Sequence, residues 1–482
     1  MSEIQTYKML IGGEWFNASN GATINVENPA NEEIIATIPA GTAEDAQKAL
    51  EAAQAAQPAW AALSPVQRAN HLRNFCKVID ENKEHLAKIL SAEQGKIYEQ
   101  ALGEVGGTIN FLMFAAENGR RIEGDIFPSD NPNEQIWIQR VPYGVTVGLV
   151  AWNFPIALAA RKAGPALVTG NTMVIKPHED TSLAVIEFGR LALEAGIPAG
   201  VLNVVTGRGR EIGEALVKSP ITKLVTLTGS TRAGTEIFRA AADNITALRL
   251  ELGGKAPFIV LEDADLEKAV KAALDSRFVN CGQVCTCNDR IYVHESIYDK
   301  FLAKLVHGVS QLTVGDAFSG ADIGPKVNKP EVERLQGLVK DALDHGAKAA
   351  IGGHRLQEGK FAKGHWFEPT VLVETDHSMR IMKEEIFGPV MAVQPIKSFD
   401  EALVLANDSE YGLSAYIFTE DLKTIMRVVN ELEFGEVYIN RGMGEQLQGF
   451  HNGFKKSGIG GEDGKYGLEN YLQKKTVYVN YG

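Results

Sequence analysis

From Gly144 to Thr228 the chain repeats one pattern. Apolar runs of strand length alternate with stretches of helical spacing: GVTVGLVAW, a helix over 157–167, NTMVIK, a helix over 182–195, VLNVV, a helix over 211–218, then KLVTLT. A strand without polar alternation is buried on both faces. Strands alternating with helices build a parallel, doubly wound α/β sheet. Ligands on such sheets lie beyond the carboxyl ends of the strands. What stands there is polar or Gly-rich: Trp152-Asn153, Lys176-Pro177-His178-Glu179, Gly207-Arg208-Gly209 and Gly229-Ser230. After Lys255 the rhythm restarts with APFIVL and a helix over 265–275, and runs to about Ile439, which predicts a second α/β domain. A chain of 482 residues is too long for one ordinary domain and fits this division.

The N-terminal region reads differently. Short strands cover residues 8–38, with Gly12-Gly13 punctuating the first pair like a hairpin. Thr42 with Asp45 three positions on resembles a capping box, and Ser64-Pro65 an N-cap with proline at the first helical position. Helices are predicted after each, and another over 83–94. Residues 134–141 (EQIWIQRV) and the tail 474–481 (KKTVYVNY) alternate apolar and polar, as half-buried strands do. A terminal strand must find an edge to pair with, inside the chain or on another subunit. The second is the expectation.

A net charge of −13 argues against nucleic acid and against an anionic membrane surface. No run approaches the roughly 18 apolar residues of a membrane span. The start, Met1-Ser2-Glu3-Ile4-Gln5, shows no signal-peptide pattern, so a cytoplasmic location is expected. Four cysteines in this length do not make a disulfide scaffold.

Three stretches carry chemistry. Strand KLVTLT enters Gly229-Ser230-Thr231-Arg232-Ala233-Gly234 and then a helix. Such a loop offers backbone N–H groups and a helix dipole to a pyrophosphate, or is a plain strand-to-helix turn. Glu251, before Gly253-Gly254, is a general base if its pKa is raised, or a capping carboxylate. Cys281, Cys285 and Cys287 fall within seven residues, with the fourth cysteine at position 76. They lack a second Cys/His pair at zinc spacing, so no metal is expected. They are buried small residues or include a nucleophile.

Taken together, and over essentially the whole chain, these pieces resemble the aldehyde dehydrogenase superfamily. The resemblance rests on Ala151-Trp152-Asn153-Phe154-Pro155, Lys176-Pro177-His178-Glu179, Thr228-Gly229-Ser230 through Gly234, Glu251-Leu252-Gly253-Gly254-Lys255, Gly282-Gln283-Val284-Cys285 and Glu385-Ile386-Phe387-Gly388-Pro389-Val390. Within the superfamily the C-terminal GFHNGFKKSGIGGEDGKYGLENYL is most like the bacterial lactaldehyde and glycolaldehyde dehydrogenases. The resemblance implies two doubly wound α/β domains plus a small β oligomerisation arm. Residues 1–122 and 142–253 would bind the dinucleotide, 254–455 form the catalytic domain, and 123–141 with 466–482 the arm of a homodimer or homotetramer.

It also implies roles. Cys285 attacks the aldehyde carbon. The Asn153 amide and the Cys285 backbone N–H hold the oxyanion. Glu251 activates the water that hydrolyses the thioester. NAD, with NADP possible, would meet Trp152, Lys176, Glu179, Gly229, Ser230, Gly234, Leu252, Gly253, Glu385 and Phe387. A carboxylate at Glu179 accepts from a ribose 2′-hydroxyl and repels a 2′-phosphate; the family often has serine where His178 stands, and a protonated imidazole tolerates phosphate. Arg161, Glu445 and His451 would line the substrate channel, which suggests a small hydroxylated or anionic aldehyde over a long apolar one. Arg161 is alternatively a structural salt bridge. The loop 441–446 and Thr286 depart from the lactaldehyde pattern, and a sugar-derived aldehyde such as an anhydrogalactose, or succinate semialdehyde, competes. Cys287 resembles the second cysteine of succinate-semialdehyde dehydrogenases, a redox partner or a wall residue. Rival readings are a CoA-acylating enzyme, which typically lacks the glutamate, a catalytically silent member of the fold, which would be expected to lose the nucleophile, and a thiol hydrolase, which would not require the nucleotide-site pattern.

Overall fold

A computed structural model describes residues 4–482. Its larger sheet has eight strands in the order Gly458–Ile459, Ala247–Glu251, Thr222–Thr228, Val145–Val150, Thr172–Pro177, Leu202–Val204, Met9–Ile11, Glu14–Phe16. The five strands from Ala247–Glu251 to Leu202–Val204 run parallel. Every residue of Val145–Val150 and Thr172–Pro177 is buried, Thr172 and Lys176 included, as in parallel strands covered on both faces. The chain winds from Val145–Val150 outward to Leu202–Val204, then returns to the other side with Thr222–Thr228. That reversal opens a crevice beside the ends of Val145–Val150 and Thr222–Thr228. Trp152-Asn153 and Gly229-Ser230 follow those two strands directly.

The smaller sheet has seven strands, with Asn288–His294 and Ala256–Val260 near its middle and Glu436–Ile439 at one edge. All its pairs are parallel except Lys348–Ile351 with Thr370–Val373. Here the candidate chemistry lies at the amino-terminal ends: Cys285 precedes Asn288–His294, and Glu436 opens its strand. The carboxyl edge of one sheet therefore meets the amino edge of the other. Gly458 pairs with Glu251, so the segment after 455 returns to the larger sheet.

Local signals placed the N-terminal elements. Gly12 and Gly13 both take positive φ, which a two-residue hairpin turn needs, and Ile11 pairs with Glu14 across it. Thr42 and Ser64 each form a full capping box, with Asp45 and Gln67. Helix Tyr98–Asn118 has no such signal: it carries no side-chain cap, and Gly103, Gly106 and Gly107 interrupt its helix formers. It packs on Pro155–Val168, where Gly164 lets the backbones approach; a Cβ there would lie 3.3 Å from the Phe111 carbonyl oxygen.

The tail strand, Leu472–Asn480, finds its partner within the chain. It pairs antiparallel with Glu134–Pro142 along its whole length, and Asp125–Pro128 adds a third strand. Ile126 and Tyr478 stand 69% and 67% exposed on this arm. Among the described residues no helix is long and apolar enough to cross a membrane.

Candidate active site

The cysteine stretch is a strained turn. After helix Leu266–Phe278, Asn280, Cys281 and Gly282 all take left-handed φ, at 48°, 57° and 70°. Two of these are not glycine, a conformation that surrounding structure must enforce. Gly282 is additionally required by space, because a Cβ would meet the Gly388 carbonyl oxygen at 2.2 Å. Buried Gln283 pins the loop from both ends: its Nε2 donates to the Asn280 carbonyl at 3.0 Å, and its Oε1 accepts from Val327 N–H at 3.0 Å.

The turn separates the thiols. Cys281 and Cys287 are buried, whereas Cys285 is partly exposed. Burial pushes Cys281 up to about 12 and Cys287 up to about 11. Cys287 Sγ donates to the Val284 carbonyl at 3.0 Å, as a wall residue does. Burial, then the Glu445 and Glu385 carboxylates, push the Cys285 thiol well above its ordinary value. Arg161 acts against them, and Glu251 adds to them. Residues from four separate parts of the sequence thus act on one sulfur.

Asn153 reaches the same loop. Its Nδ2 donates to the Gln283 carbonyl at 2.9 Å. A side-chain amide has two N–H donors, so a second is available to an oxygen bound near Cys285. The Asn153 carbonyl is itself held by Asn280 Nδ2 at 2.9 Å and by Lys96 Nζ at 2.8 Å. Lys96 is paired with buried Glu104, which accepts from the N–H groups of Ile156 and Ala157 at 3.0 and 3.3 Å and so caps the following helix. None of Lys96, Glu104 and Asn280 stood out in the sequence. The signal was weak: a lone lysine, a glutamate in an uncapped helix, and an asparagine two residues from the loop's glycine.

Glu251 ends its strand buried, 3% exposed, with neither carboxylate oxygen hydrogen-bonded among the described residues. Burial raises its carboxyl to about 8 against the pull of His451. His451 Nε2 lies 3.3 Å from Glu251 Oε2, and its Nδ1 3.0 Å from Glu436 Oε1 and 3.7 Å from Glu445 Oε1. Burial and Arg161 push this imidazole down. Glu445, Glu251 and Glu436 outweigh them and hold it at about 10. Glu436, Glu445 and His451 have the donor types of a metal site, but an imidazolium between carboxylates is balanced without an ion.

Arg161 is buried and fully engaged. It forms a forked pair with Asp463, with Nε to Oδ1 at 3.0 Å, and lies 3.4 Å from Glu462 and 3.5 Å from Glu445. Lys162 beside it meets Glu462 at 2.5 Å and Thr228 at 2.7 Å. The structure brings Arg161, Glu445 and His451 together, and adds Glu436, Glu462 and Asp463, which the sequence alone left unmarked.

The candidate nucleotide groups line the crevice of the larger sheet. Ser230 caps helix Thr231–Ala240 through Ala233 N–H at 3.2 Å. Gly234 is required by Leu252, whose Cδ1 a Cβ would meet at 2.6 Å. Lys176 Nζ lies 3.4 Å from Glu179 Oε2. Burial works against the Glu179 charge, but Lys176 and His178 outweigh it and hold the carboxyl below its ordinary value. Glu385 accepts from Gly254 N–H at 2.9 Å, and a Cβ on Gly253 would sit 2.8 Å from its Oε2. Trp152 and Phe387 meet edge to face, with centroids 5.2 Å apart. A helix N-terminus, an acid–lysine pair at a strand end and a carboxylate in a glycine cradle fit the phosphates and hydroxyls of a dinucleotide.

Comparison with known proteins bears on this arrangement. The profile described as "Aldehyde dehydrogenase family" matches residues 15–477. A 3,6-anhydro-alpha-L-galactose dehydrogenase from a Vibrio species is 53% identical over 479 residues, covering 99% of this chain and 100% of that protein. The lactaldehyde dehydrogenase of Escherichia coli is 45% identical over 481 residues, covering 99% and 100%. A solved structure of a 3,6-anhydro-L-galactose dehydrogenase in complex with NAP is 53% identical and matches with a TM-score of 0.97, covering 99% of this chain and 100% of that one.

Proposed function

The chain belongs to the aldehyde dehydrogenase family and is an NAD(P)-dependent, aldehyde-oxidising enzyme, and on that premise we propose that it acts on a small, neutral, hydroxylated aldehyde through Cys285, Asn153 and Glu251. The observation that carries the substrate class is Arg161. Its guanidinium is matched by Asp463, Glu462 and Glu445 within the protein. Among the described residues no free cation is left there for a substrate carboxylate, which speaks against an anionic semialdehyde. The carboxylates and imidazole around it suit hydroxyl groups as acceptors and donors. Among the hydroxylated candidates, greater identity to the anhydrogalactose enzyme than to the lactaldehyde enzyme favours the sugar-derived aldehyde.

The steps follow from the residues. Cys285 rests as a thiol, so its proton passes to Glu251 as sulfur attacks the aldehyde carbon. The oxygen that gains charge is held by the free N–H of the Asn153 amide. NAD(P), when bound, accepts the hydride. Trp152, Gly229, Ser230, Gly234, Leu252, Gly253, Lys176, Glu179, Glu385 and Phe387 are the residues that would hold it. As the aldehyde C–H bond gives up its hydride, the oxyanion collapses to a thioester and Glu251 releases its first proton to solvent. Glu251 then takes a proton from water as the hydroxide adds to the thioester carbon, and returns it to the Cys285 sulfur as the C–S bond breaks and the carboxylic acid leaves. The arm of residues 123–141 and 466–482, with exposed Ile126 and Tyr478, suits a homodimer or homotetramer.

Steady-state kinetics with 3,6-anhydro-L-galactose, lactaldehyde, glycolaldehyde, succinate semialdehyde and an aliphatic aldehyde, each with NAD and NADP, test the reading. Hydroxylated aldehydes should give the highest kcat/KM. Preference for succinate semialdehyde or for the aliphatic aldehyde would overturn the substrate class.

A further inference from the structure

His451 joins the two sheets through its ring. Glu251 is the last residue of a strand in the larger sheet, and Glu436 the first residue of an edge strand in the smaller one. The imidazole spans them, 3.3 Å from one and 3.0 Å from the other. Its place is fixed by the backbone: His451 N–H donates to the Glu462 carbonyl at 2.9 Å and its carbonyl accepts from Glu462 N–H at 2.7 Å. Glu436 is fixed in turn, because Tyr438 Oη donates to its second oxygen at 2.8 Å. That tyrosine ring stacks on Tyr416, whose hydroxyl donates to the Thr286 carbonyl next to Cys285. One chain of contacts therefore runs from the nucleophile loop around to Glu251.

Glu251 has no hydrogen-bond partner of its own among the described residues, so the imidazole is the cation in contact with it. We propose that Glu436 and His451 form a positioning pair for Glu251, in which Glu436 keeps the imidazole charged and the charged ring holds the Glu251 carboxylate ready as a base. The inference rests on Glu251 being the base of the proposed mechanism. With Nδ1–H given to Glu436, the positively charged ring lies with Nε2 3.3 Å from Glu251 Oε2 and stabilises the ionised form of that carboxylate. Other charges also bear on the pair. Glu445 approaches Nδ1 at 3.7 Å and favours the imidazolium, and Arg161 opposes it. On Glu251 itself Glu462 opposes ionisation, whereas Arg161 and Lys162 favour it. Glu436 differs from these in making a direct hydrogen bond to the ring from outside the Arg161 cluster.

The test compares the pH dependence of kcat in E436Q and E251Q enzymes. Glutamine at 436 keeps an acceptor for Nδ1–H and removes the charge. The acid limb of kcat should move up by about one pH unit, giving roughly a 10-fold lower kcat at pH 7 that recovers as pH rises, while E436D keeps the limb of the wild type. A merely structural role would lower kcat evenly at every pH. An unmoved limb in E436Q, or a change in KM alone, would overturn the proposal. E251Q separates the two readings. Loss of turnover together with a slowed pre-steady-state burst of NADH supports Glu251 as the base of both steps. Undiminished turnover would sink the mechanism itself. Should E436Q not fold, 15N NMR of wild-type His451, identified by its loss in H451N, decides: doubly protonated above pH 8 supports the pair, and neutral at pH 7 refutes it.

Discussion

The ammonium of Lys96 donates to the main-chain carbonyl of Asn153 at 2.8 Å, from a site with no solvent exposure. The turn that aims the Asn153 amide is thus braced by a charge, and that charge is paired directly with Glu104. In K96M, Glu104 is left in a dry site without its partner cation. Breaking a buried pair in this way costs ~3–5 kcal/mol. Denaturant unfolding should show a loss of that size, with reduced kcat. A loss below about 1 kcal/mol would mean the pair does not brace the turn.

Asn153 itself is tested by N153A. Losing an oxyanion donor lowers kcat by ~10²–10³-fold. Alkylation of Cys285 by iodoacetamide should continue at a near wild-type rate, because in the proposed mechanism the amide acts on the substrate oxygen and not on the thiol. A kcat within about 10-fold of wild type would remove Asn153 from the oxyanion site.

Stability and activity should run in opposite directions with pH. Glu251 titrates near 4.5 when unfolded and about 8 in the folded chain. Between those values the folded chain holds a proton that the unfolded chain has lost. The associated stability is complete below about 4.5 and is lost as pH rises through about 8. His451, raised from 6.5 to about 10, has the same sign over its own window. A base works ionised, so kcat rises through about 8. E251Q removes one titration, and its Tm relative to wild type should climb between about pH 4.5 and pH 8 and level off above. A constant difference would contradict the buried, neutral acid.

Arg161 gives a prediction about selectivity. In R161L the buried Asp463 loses its counter-charge and Glu462 keeps only Lys162, so stability falls and kcat/KM drops for neutral and anionic aldehydes alike. A selective loss of succinate semialdehyde oxidation would show that Arg161 binds a substrate carboxylate.

Glu179 gives a prediction about the cofactor. In E179Q the repulsion of a 2′-phosphate disappears while an acceptor for a 2′-hydroxyl remains. The ratio of kcat/KM for NADP over NAD should rise about 10-fold, equivalent to roughly 1.4 kcal/mol. An unchanged ratio would place the adenosine ribose elsewhere.

Much of the fold was legible locally. The buried strands Val145–Val150 and Thr172–Pro177, the capping boxes at Thr42 and Ser64, and the Gly12-Gly13 hairpin all follow from residue pattern alone, because backbone preference and apolar period act over a few residues. The motifs around Asn153, Glu251 and Cys285 were legible too, since their residue types are those the chemistry demands. Helix Tyr98–Asn118 was not, because no cap marks its start and its glycines oppose its period.

The sequence by itself thus determined the α/β class, the family and the three residues proposed for the reacting centre. Only the tertiary structure decided what surrounds them. Lys96 meets Asn153 across 57 positions, Arg161 meets Asp463 across 302, and His451 is wedged between carboxylates of two different sheets. Charge balance in a dry site is a property of distance and desolvation, and neither is written in the order of the residues.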